Sequence, residues 1–234
     1  MNALTEKLEI VTVRRGVEAR ATYGRGAIVK PARTRKTTKP GGTTIRFRPD
    51  RQVFPHAHVP RAKLAQRIED LSFLLPGLAI HYRAGVDRAA GGGLRARAAL
   101  AVNCDIDAIA HHRATYKTTR GPLDVEVALA WDHPAWPTQI ESFVNLYRTV
   151  EGSHVDGVVD GLCGFLDEDD RARATSAVVA WVAVILADVA WGSPTKSRLA
   201  APEVRAPVAA ATKAALDAWA AANPEAATTV RVRR

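Results

Sequence analysis

The apolar run at residues 177–187, AVVAWVAVILA, constrains the fold more than any other segment of the sequence. A helix that spans a membrane needs about 20 consecutive apolar residues, so this run is too short for that role. Its length and its many valines are typical of a buried strand. The sequence therefore predicts a folded domain built around this segment, and no membrane partner.

Strand and helix patterns alternate around this run. Residues 6–30 predict short antiparallel strands, and the basic, Pro/Gly-rich residues 31–42 predict a loop or linker. Further strands are predicted at residues 43–50, 78–83, 125–131 and 139–149. Helices are predicted from Pro60 to Leu75, from a turn at Gly91–Gly93 to about Asn103, over residues 154–166, and from Pro202 to Asn223. This order predicts a mixed α+β sandwich with helices packed on one face of a sheet.

Positive charge is concentrated near the start of the chain. Residues 1–63 hold 15 lysines and arginines against 4 acidic residues, whereas the remaining residues hold 18 against 20. Such an excess is typical of proteins that bind polyanions, of which DNA is the usual one. A solvated basic surface without a partner is the alternative.

Several strings, in order along the chain, resemble those of the B subunits of DNA gyrase and topoisomerase IV. Residues 1–10, MNALTEKLEI, resemble N-A-L-S-x-x-L-E-V, and residues 125–131, VEVALAW, match V-E-V-A-[LM]-Q-W. Residues 142–157, SFVNLYRTVEGSHVDG, resemble S-F-x-N-x-I-x-T-x-E-G-G-T-H-x-x-G. Residues 193–204, SPTKSRLAAPEV, resemble G-Q-T-K-x-K-L-G-N-x-E-V. The resemblance covers roughly residues 1–228, and its specificity comes from the shared order.

The resemblance implies an α+β fold of the ribosomal S5 domain 2-like type, which is the transducer of that family. It implies that residues 1–42 are remnant strands of a GHKL-type ATP-binding module plus a basic linker, residues 43–228 the transducer, and residues 229–234 a basic tail. In that family the transducer brings a lysine to the γ-phosphate of ATP in the neighbouring module. It thereby couples the nucleotide state to closure of the DNA-entry gate.

Lys196 matches the lysine of the family's Q-T-K loop, so the resemblance assigns it the catalytic contact with the γ-phosphate. Thr195 and Ser193 are implied as further contacts to ATP. An ammonium group can stabilise the charge that develops on a transferring phosphoryl group. Pro194 replaces the family's glutamine, and a proline side chain offers neither a donor nor an acceptor. We therefore expect the loop to keep its shape and lose one phosphate ligand, and a surface lysine without a task is the alternative.

The family's other nucleotide-binding residues are expected to lie outside this chain. In the family the glutamate base, the magnesium-holding asparagine and the glycine-rich lid precede the segment that resembles residues 1–10, and the TOPRIM metal site follows the transducer. Gly91–Gly93 lacks the G-K-[ST] ending of a P-loop. We therefore expect ATP to bind only with a partner ATPase module. We expect no magnesium ligands in this chain and no ATP hydrolysis by the chain alone.

Histidines do not indicate a metal site. His56 with His58, and His111 with His112, are predicted to be loop histidines, because no cysteine or carboxylate framework surrounds them. His154 stands at a predicted helix start and is interpreted as structural.

Double-stranded DNA is the predicted partner of the basic segment, through sequence-independent phosphate contacts. The candidate DNA-binding residues are Arg33, Arg35, Lys36, Lys39, Arg46, Arg48 and Arg51.

Three interpretations of function remain open from the sequence. In the first, the chain is a topoisomerase component that assembles with an ATP-binding module or with gyrase subunits. In the second, it is a non-catalytic module that binds DNA or gyrase. In the third, it is a degenerate fragment. Two cysteines without paired spacing fit a reducing compartment. The expected location is the bacterial cytoplasm, near the nucleoid.

Overall fold

A computed structural model describes residues 1–58, 60–82, 92–131 and 138–232, with the side chains of the last two residues left undescribed. The chain divides into two compact units, residues 1–64 and 65–234. Four residues of the predicted strand, turn and tail lie outside the described residues: Arg83, Gly91, Arg233 and Arg234.

The first unit contains a four-stranded antiparallel sheet. Its strands are β1 (Thr5–Arg14), β2 (Val17–Gly24), β3 (Ala27–Lys36) and β4 (Gly42–Pro49), in the order β3-β2-β1-β4. Arg15-Gly16 and Arg25-Gly26 have positive φ, as tight hairpin turns require. The strands predicted for residues 6–30 and 43–50 are confirmed.

The linker predicted for residues 31–42 is wrong over its first half, because β3 continues to Lys36. Pro31 is tolerated there since β3 is an edge strand whose register shifts beside this residue, so the missing N–H removes little ladder bonding. The sequence shows the proline but not which strand lies at the edge.

The strand after residue 42 belongs to the first unit. Residues 42–49 pair with β1 from Val13 to Thr5, and the boundary between the compact units falls after Leu64. The structure thus groups β4 with β1 to β3, whereas the resemblance implies a boundary after residue 42. The functional names given to the segments remain predictions.

The two faces of the first sheet differ in polarity. Side chains directly opposite each other on neighbouring strands share a face. The register therefore places Ile28, Tyr23, Leu8 and Phe47 in one row on the same face, with Ile28 66% and Phe47 54% exposed. We call this the apolar face.

The second unit is built on a five-stranded mixed sheet. Helix α1 (Arg61–Leu74) begins just before the unit boundary. The elements that follow it are α2 (Gly93–Val102), β5 (Ala110–Thr118), β6 (Gly121–Trp131), β7 (Gln139–Val144), β8 (Tyr147–Arg148), β9 (Glu151–Gly152), α3 (Ser153–Leu166), α4 (Arg171–Thr175), β10 (Val178–Leu186), β11 (Arg198–Leu199), α5 (Arg205–Ala222) and α6 (Pro224–Val232). The sheet order is β5-β6-β10-β7-β8, and β9 pairs separately with β11. The buried strand predicted at residues 177–187 is confirmed as β10, at the centre of the sheet.

Helices cover both faces of this sheet, so the expectation of helices on one face is wrong. Val182 and Val184 of β10 pack with Val158 of α3 and Leu216 of α5. Trp181, which points the other way, packs with Leu94 of α2. The physical reason is that β10 is apolar at successive positions, and such a strand needs cover on both sides.

Helices α3 and α5 approach closely because α3 carries a glycine at the contact. A Cβ atom on Gly161 would lie 2.5 Å from Thr212 Cβ and 2.7 Å from the Ala209 carbonyl oxygen. The pair closes the main core over the sheet.

Two other predicted strands change, and the structure contains elements that were not predicted. The strand predicted at residues 139–149 is a hairpin, because Asn145 and Leu146 have φ of 45° and 69° and end β7. Residues 78–82 contain only a single bridge residue instead of a strand. Helix α5 ends at Ala222 as predicted, but α6 follows at once from Pro224, and β5 was not predicted. Among the described helices, none has the length and hydropathy that crossing a membrane requires.

Candidate functional site

Lys196 lies at the end of a tight turn between β10 and β11. Its N–H donates to the Ser193 carbonyl oxygen over 3.1 Å, and its φ is 59°, in the left-handed region. Gly192 N–H donates to the Arg198 carbonyl oxygen over 2.9 Å and closes the base of the turn. We call residues 192–197 the Lys196 loop. Pro194 lies inside this hydrogen-bonded turn.

The loop hydroxyls bind one another. Ser197 N–H donates to Ser193 Oγ over 2.9 Å, and the two serine Oγ atoms are 2.8 Å apart. Thr195 Oγ1 lies 3.2 Å from Ser197 Oγ. These hydrogen bonds occupy the Ser193 side chain and stabilise the turn. The exposed Lys196 side chain is the cationic group of the loop.

A neighbouring segment holds the loop in place. The N–H groups of Val150 and Glu151 both donate to the Ser197 carbonyl oxygen, over 3.0 and 3.1 Å. Thr149, which is fully buried, has its hydroxyl 3.2 Å from the Lys196 carbonyl oxygen. The loop is therefore fixed from the side of residues 149–151.

Gly152 allows the chain around residues 149–151 to lie close to the segment that follows the Lys196 loop. It pairs with Leu199 in the short β9–β11 ladder and has a φ of 117° and a ψ of −167°, a region that is essentially restricted to glycine. A Cβ atom here would overlap the Leu199 carbonyl and lie 2.6 Å from the Leu199 nitrogen.

Two aromatic rings contact the Lys196 ammonium group. Nζ lies 4.6 Å from the Tyr147 ring centroid and 5.7 Å from that of Trp191, within the range of cation–π attraction. Neither aromatic residue was singled out from the sequence. A signal was present for Tyr147, because it stands where the quoted S-F-x-N-x-I-x-T pattern has isoleucine.

His154 is buried beneath the segment that holds the loop. Its Nε2 is 3.0 Å from Ser142 Oγ, whose hydroxyl donates to the Thr149 carbonyl oxygen. Its Nδ1 has no hydrogen-bond partner among the described residues. Burial lowers the pKa of His154 to about 4, and the hydrogen bond to Thr149 opposes this shift only in part. The neutral imidazole is thus a structural part of the site.

Acidification is expected to weaken the second unit through His154. Because its pKa falls from 6.5 when unfolded to about 4 when folded, the unfolded chain binds the extra proton, and stability falls as pH drops from 6.5 to 4. Between pH 7 and pH 5 the loss is about 2 kcal/mol. Urea unfolding at the two pH values measures it. His154→Gln, which cannot titrate, should lack this component, and an equal pH dependence in both proteins would contradict the assignment.

The loop suits one phosphate group and not a metal ion. A lysine ammonium on a fixed, exposed turn can contact a phosphate oxygen as a point charge. Magnesium instead prefers carboxylate and water oxygens, and the described residues contain no group of three or more His, Cys, Asp and Glu side chains that could hold a metal ion. The loop therefore offers one cationic group, Lys196, to a phosphate oxygen.

The candidate DNA-binding residues lie in the first unit, on opposite edges of its sheet. Arg33, Arg35 and Lys36 belong to β3, and Arg46 and Arg48 belong to β4, which are the two outer strands. The register places Arg33, Arg35, Arg46 and Arg48 on one face, opposite to the apolar face, and Lys36 on the apolar face. We call the former the charged face. Lys39 and the exposed Arg51 lie in the segments after β3 and β4.

Two of these cations are held by one acidic residue. Arg35 and Lys39 each donate to Glu18, both over 2.9 Å, and the Glu18 side chain is only 3% exposed. The hydrogen bond from Lys39, and then that from Arg35, keep the pKa of Glu18 below its ordinary value. Arg33 and Arg46 form no ion pair with the described residues.

The histidine pairs fall in different environments. His56 and His58 lie in a loop as predicted, but the prediction is wrong for His111 and His112, which are part of β5. His111 Nε2 lies 3.2 Å from Glu126 Oε1 on the adjacent strand, which gives it a structural partner.

Comparison with known proteins finds relatives of this chain. The DNA gyrase B subunit of Thermotoga maritima is 29% identical over 263 aligned residues, which cover 98% of this chain. The mitochondrial DNA gyrase B subunit of Arabidopsis thaliana is 29% identical over 88% of this chain. The chain is similar to DNA gyrase B subunits. It spans 40% and 32% of the lengths of these two relatives. No protein-family model matches the chain.

Solved structures share the fold. The 43K ATPase domain of Thermus thermophilus gyrase B, in complex with an aminocoumarin, superimposes with a TM-score of 0.79 at 19% identity, covering 99% of this chain and 69% of that one. The topoisomerase IV ATP-binding domain of Francisella tularensis, in complex with an inhibitor, gives 0.78 at 20% identity, covering 99% and 68%. The mixed α+β fold is therefore that found in the ATPase regions of type IIA topoisomerase B subunits.

Proposed function

We propose that the chain is a transducer-type module of a type IIA topoisomerase B-subunit-like protein. Lys196 contacts the γ-phosphate of ATP bound in a GHKL-type ATPase module. The second unit is the S5 domain 2-like transducer in this proposal, and the first is the end of a GHKL-type module. Its partners are DNA and gyrase or topoisomerase subunits, and its place is the bacterial cytoplasm.

The observation that carries the proposal is the construction of the Lys196 loop. Its turn is closed by hydrogen bonds at both ends, and residues 149–151 hold it from one side. A fixed lysine contributes to catalysis because its charge is already positioned where negative charge develops on the phosphoryl group. The chain supplies this one cation, whereas nucleotide and magnesium are held by the partner module.

Reconstitution tests the proposal. The purified chain is mixed with a separately produced ATP-binding module from a gyrase relative, magnesium, ATP and duplex DNA, and phosphate release is measured. We expect no hydrolysis by the chain alone, because one lysine can neither bind the nucleotide nor position the attacking water. We expect hydrolysis above that of the partner module alone when the two are combined. A mixture no faster than the partner by itself would count against the proposal.

A non-catalytic module that binds DNA or gyrase is the second candidate. Two observations favour it: Pro194 replaces a side chain that could bind phosphate, and the Lys196 ammonium group already contacts Tyr147 at 4.6 Å. Under this alternative, capture of gyrase subunits or a salt-sensitive DNA complex persists while the mixture hydrolyses no additional ATP.

A further inference from the structure

We propose that the charged face of the first sheet is a binding surface for double-stranded DNA that contacts phosphates on both strands, and that Lys7 and Arg20 belong to it. This rests on the proposed function for the choice of DNA, but the surface itself follows from strand register and charge.

The register brings the cations together. Lys7 is opposite Arg48, and Arg20 is opposite Arg33. Lys7 and Glu9 are two positions apart on β1, with Glu9 opposite Arg46, so these residues share one face. Lys30, opposite Thr22 beyond the register shift, joins the same face. Basic side chains thus extend across all four strands, although the sequence shows them only as separate runs.

The acidic side chains on this face do not neutralise it. Glu18 is buried between Arg35 and Lys39. Glu9 lies 3.3 Å from Arg20, and Glu6, at the margin, lies 3.8 Å from Arg48. The exposed Arg33 and Arg46, on opposite edges, form no ion pair with the described residues and are free to bind phosphate.

The dimensions suit a duplex. Four strands place the outer two about 14 Å apart, and the six residue steps from Lys7 to Val13 extend about 20 Å. Duplex DNA carries one charge per roughly 1.7 Å of its axis, so about twelve phosphates lie along that length.

The composition of the face favours a duplex over other polyanions. Proteins that bind single strands stack bases on aromatic rings, but Tyr23 and Phe47 both lie on the apolar face. Membrane-surface binding needs a large exposed apolar area next to the cations, but Val11 and Val13, the apolar side chains of β1 on this face, are only partly exposed, and the exposed Ile28 lies on the apolar face. The charged face is therefore a solvent-exposed surface rich in arginine, which suits contacts to phosphates.

A pair of matched double variants of the full chain tests the proposal. Arg33→Ala with Arg46→Ala removes two charges from the charged face. Arg14→Ala with Lys213→Ala removes two exposed charges that are not on the charged face: Arg14, opposite Val17, lies on the apolar face, and Lys213 lies on α5 of the second unit. Binding to a fluorescent 20-base-pair duplex is measured by anisotropy over a range of salt concentrations.

We expect the first variant to weaken binding by about tenfold for each lost contact at 0.1 M salt, and to reduce the salt slope by about 2. The control should change affinity by less than threefold. Glu9→Gln should tighten binding, a gain that misfolding cannot produce. Equal losses in both double variants, or no duplex binding by the unaltered chain, would overturn the proposal.

Competing ligands separate the alternatives. If single-stranded RNA or vesicles rich in phosphatidylserine bind more tightly than the duplex, that ligand is the occupant of the charged face, and the proposal is overturned. Face-dependent DNA binding without stimulated ATP hydrolysis contradicts the proposed function alone. Stimulated hydrolysis with no difference between the double variants contradicts the DNA surface alone.

Discussion

Replacing Gly152 with alanine is expected to destabilise the second unit by about 3 to 5 kcal/mol. Two effects add: the backbone conformation at φ 117° is strained for any side chain, and the new methyl group overlaps the Leu199 backbone. Leu199 is itself 1% exposed and part of the main core, so it cannot move away without opening that core. Urea unfolding at pH 7 measures the loss.

Gly164→Ala is the matched control for this change. Gly164 lies in α3, is exposed, and has no heavy atom within 4 Å of an added Cβ. Alanine is the better helix former there, so stability should rise by about 0.5 to 1 kcal/mol. If both substitutions had the same effect, the close β9–β11 contact would not be the source of the loss. Because Gly152 pairs with Leu199 of β11, which follows the Lys196 loop, we also expect Gly152→Ala to lose any stimulation of ATP hydrolysis.

Lys196→Ala is expected to lower the ATP hydrolysis that the chain adds to that of the partner module by about 100-fold or more. Removal of one positioned charge-stabilising donor from an active site typically costs this much. The structural reason is that no other loop group can substitute: Ser193 and Ser197 bind each other, and Pro194 has no polar side-chain atom. Phosphate release with saturating ATP, with and without DNA, measures the effect.

Lys213→Ala is the control for loss of a lysine. Lys213 is half exposed on α5 and pairs with Asp217 over 2.7 Å, away from the loop in sequence and contacts. Its replacement should leave hydrolysis within about twofold, since exposed pairs of this kind contribute little. Hydrolysis by the Lys196→Ala mixture at the rate of the unaltered chain would favour the non-catalytic alternative.

The positions of most helices and strands could be predicted from the sequence, because they depend on local patterns of apolar and polar residues. The run at residues 177–187 predicted β10, and alternating residues 6–30 predicted β1 to β3. The ordered motifs also led to the gyrase B relatives that the comparisons find. Lys196 was accessible only through its resemblance to a family loop.

Tertiary contacts decided the rest. Whether Pro31 ends a strand depends on where β3 lies in the sheet, and whether helices cover one face or two depends on what packs against Trp181. Tyr147 and Lys196 are 49 positions apart in sequence, and nothing local indicates that the ring contacts the ammonium group.

The sequence by itself determined that the chain is an α+β protein with a basic start and a gyrase-like order of motifs, because composition, periodicity and motif order are properties of the chain alone. Only the tertiary structure decided which cations share a face and what holds the Lys196 loop. Both depend on register and on contacts between distant segments: a shift of one residue in β3 would move Arg33 and Arg35 to the apolar face and bring Lys36 to the charged one.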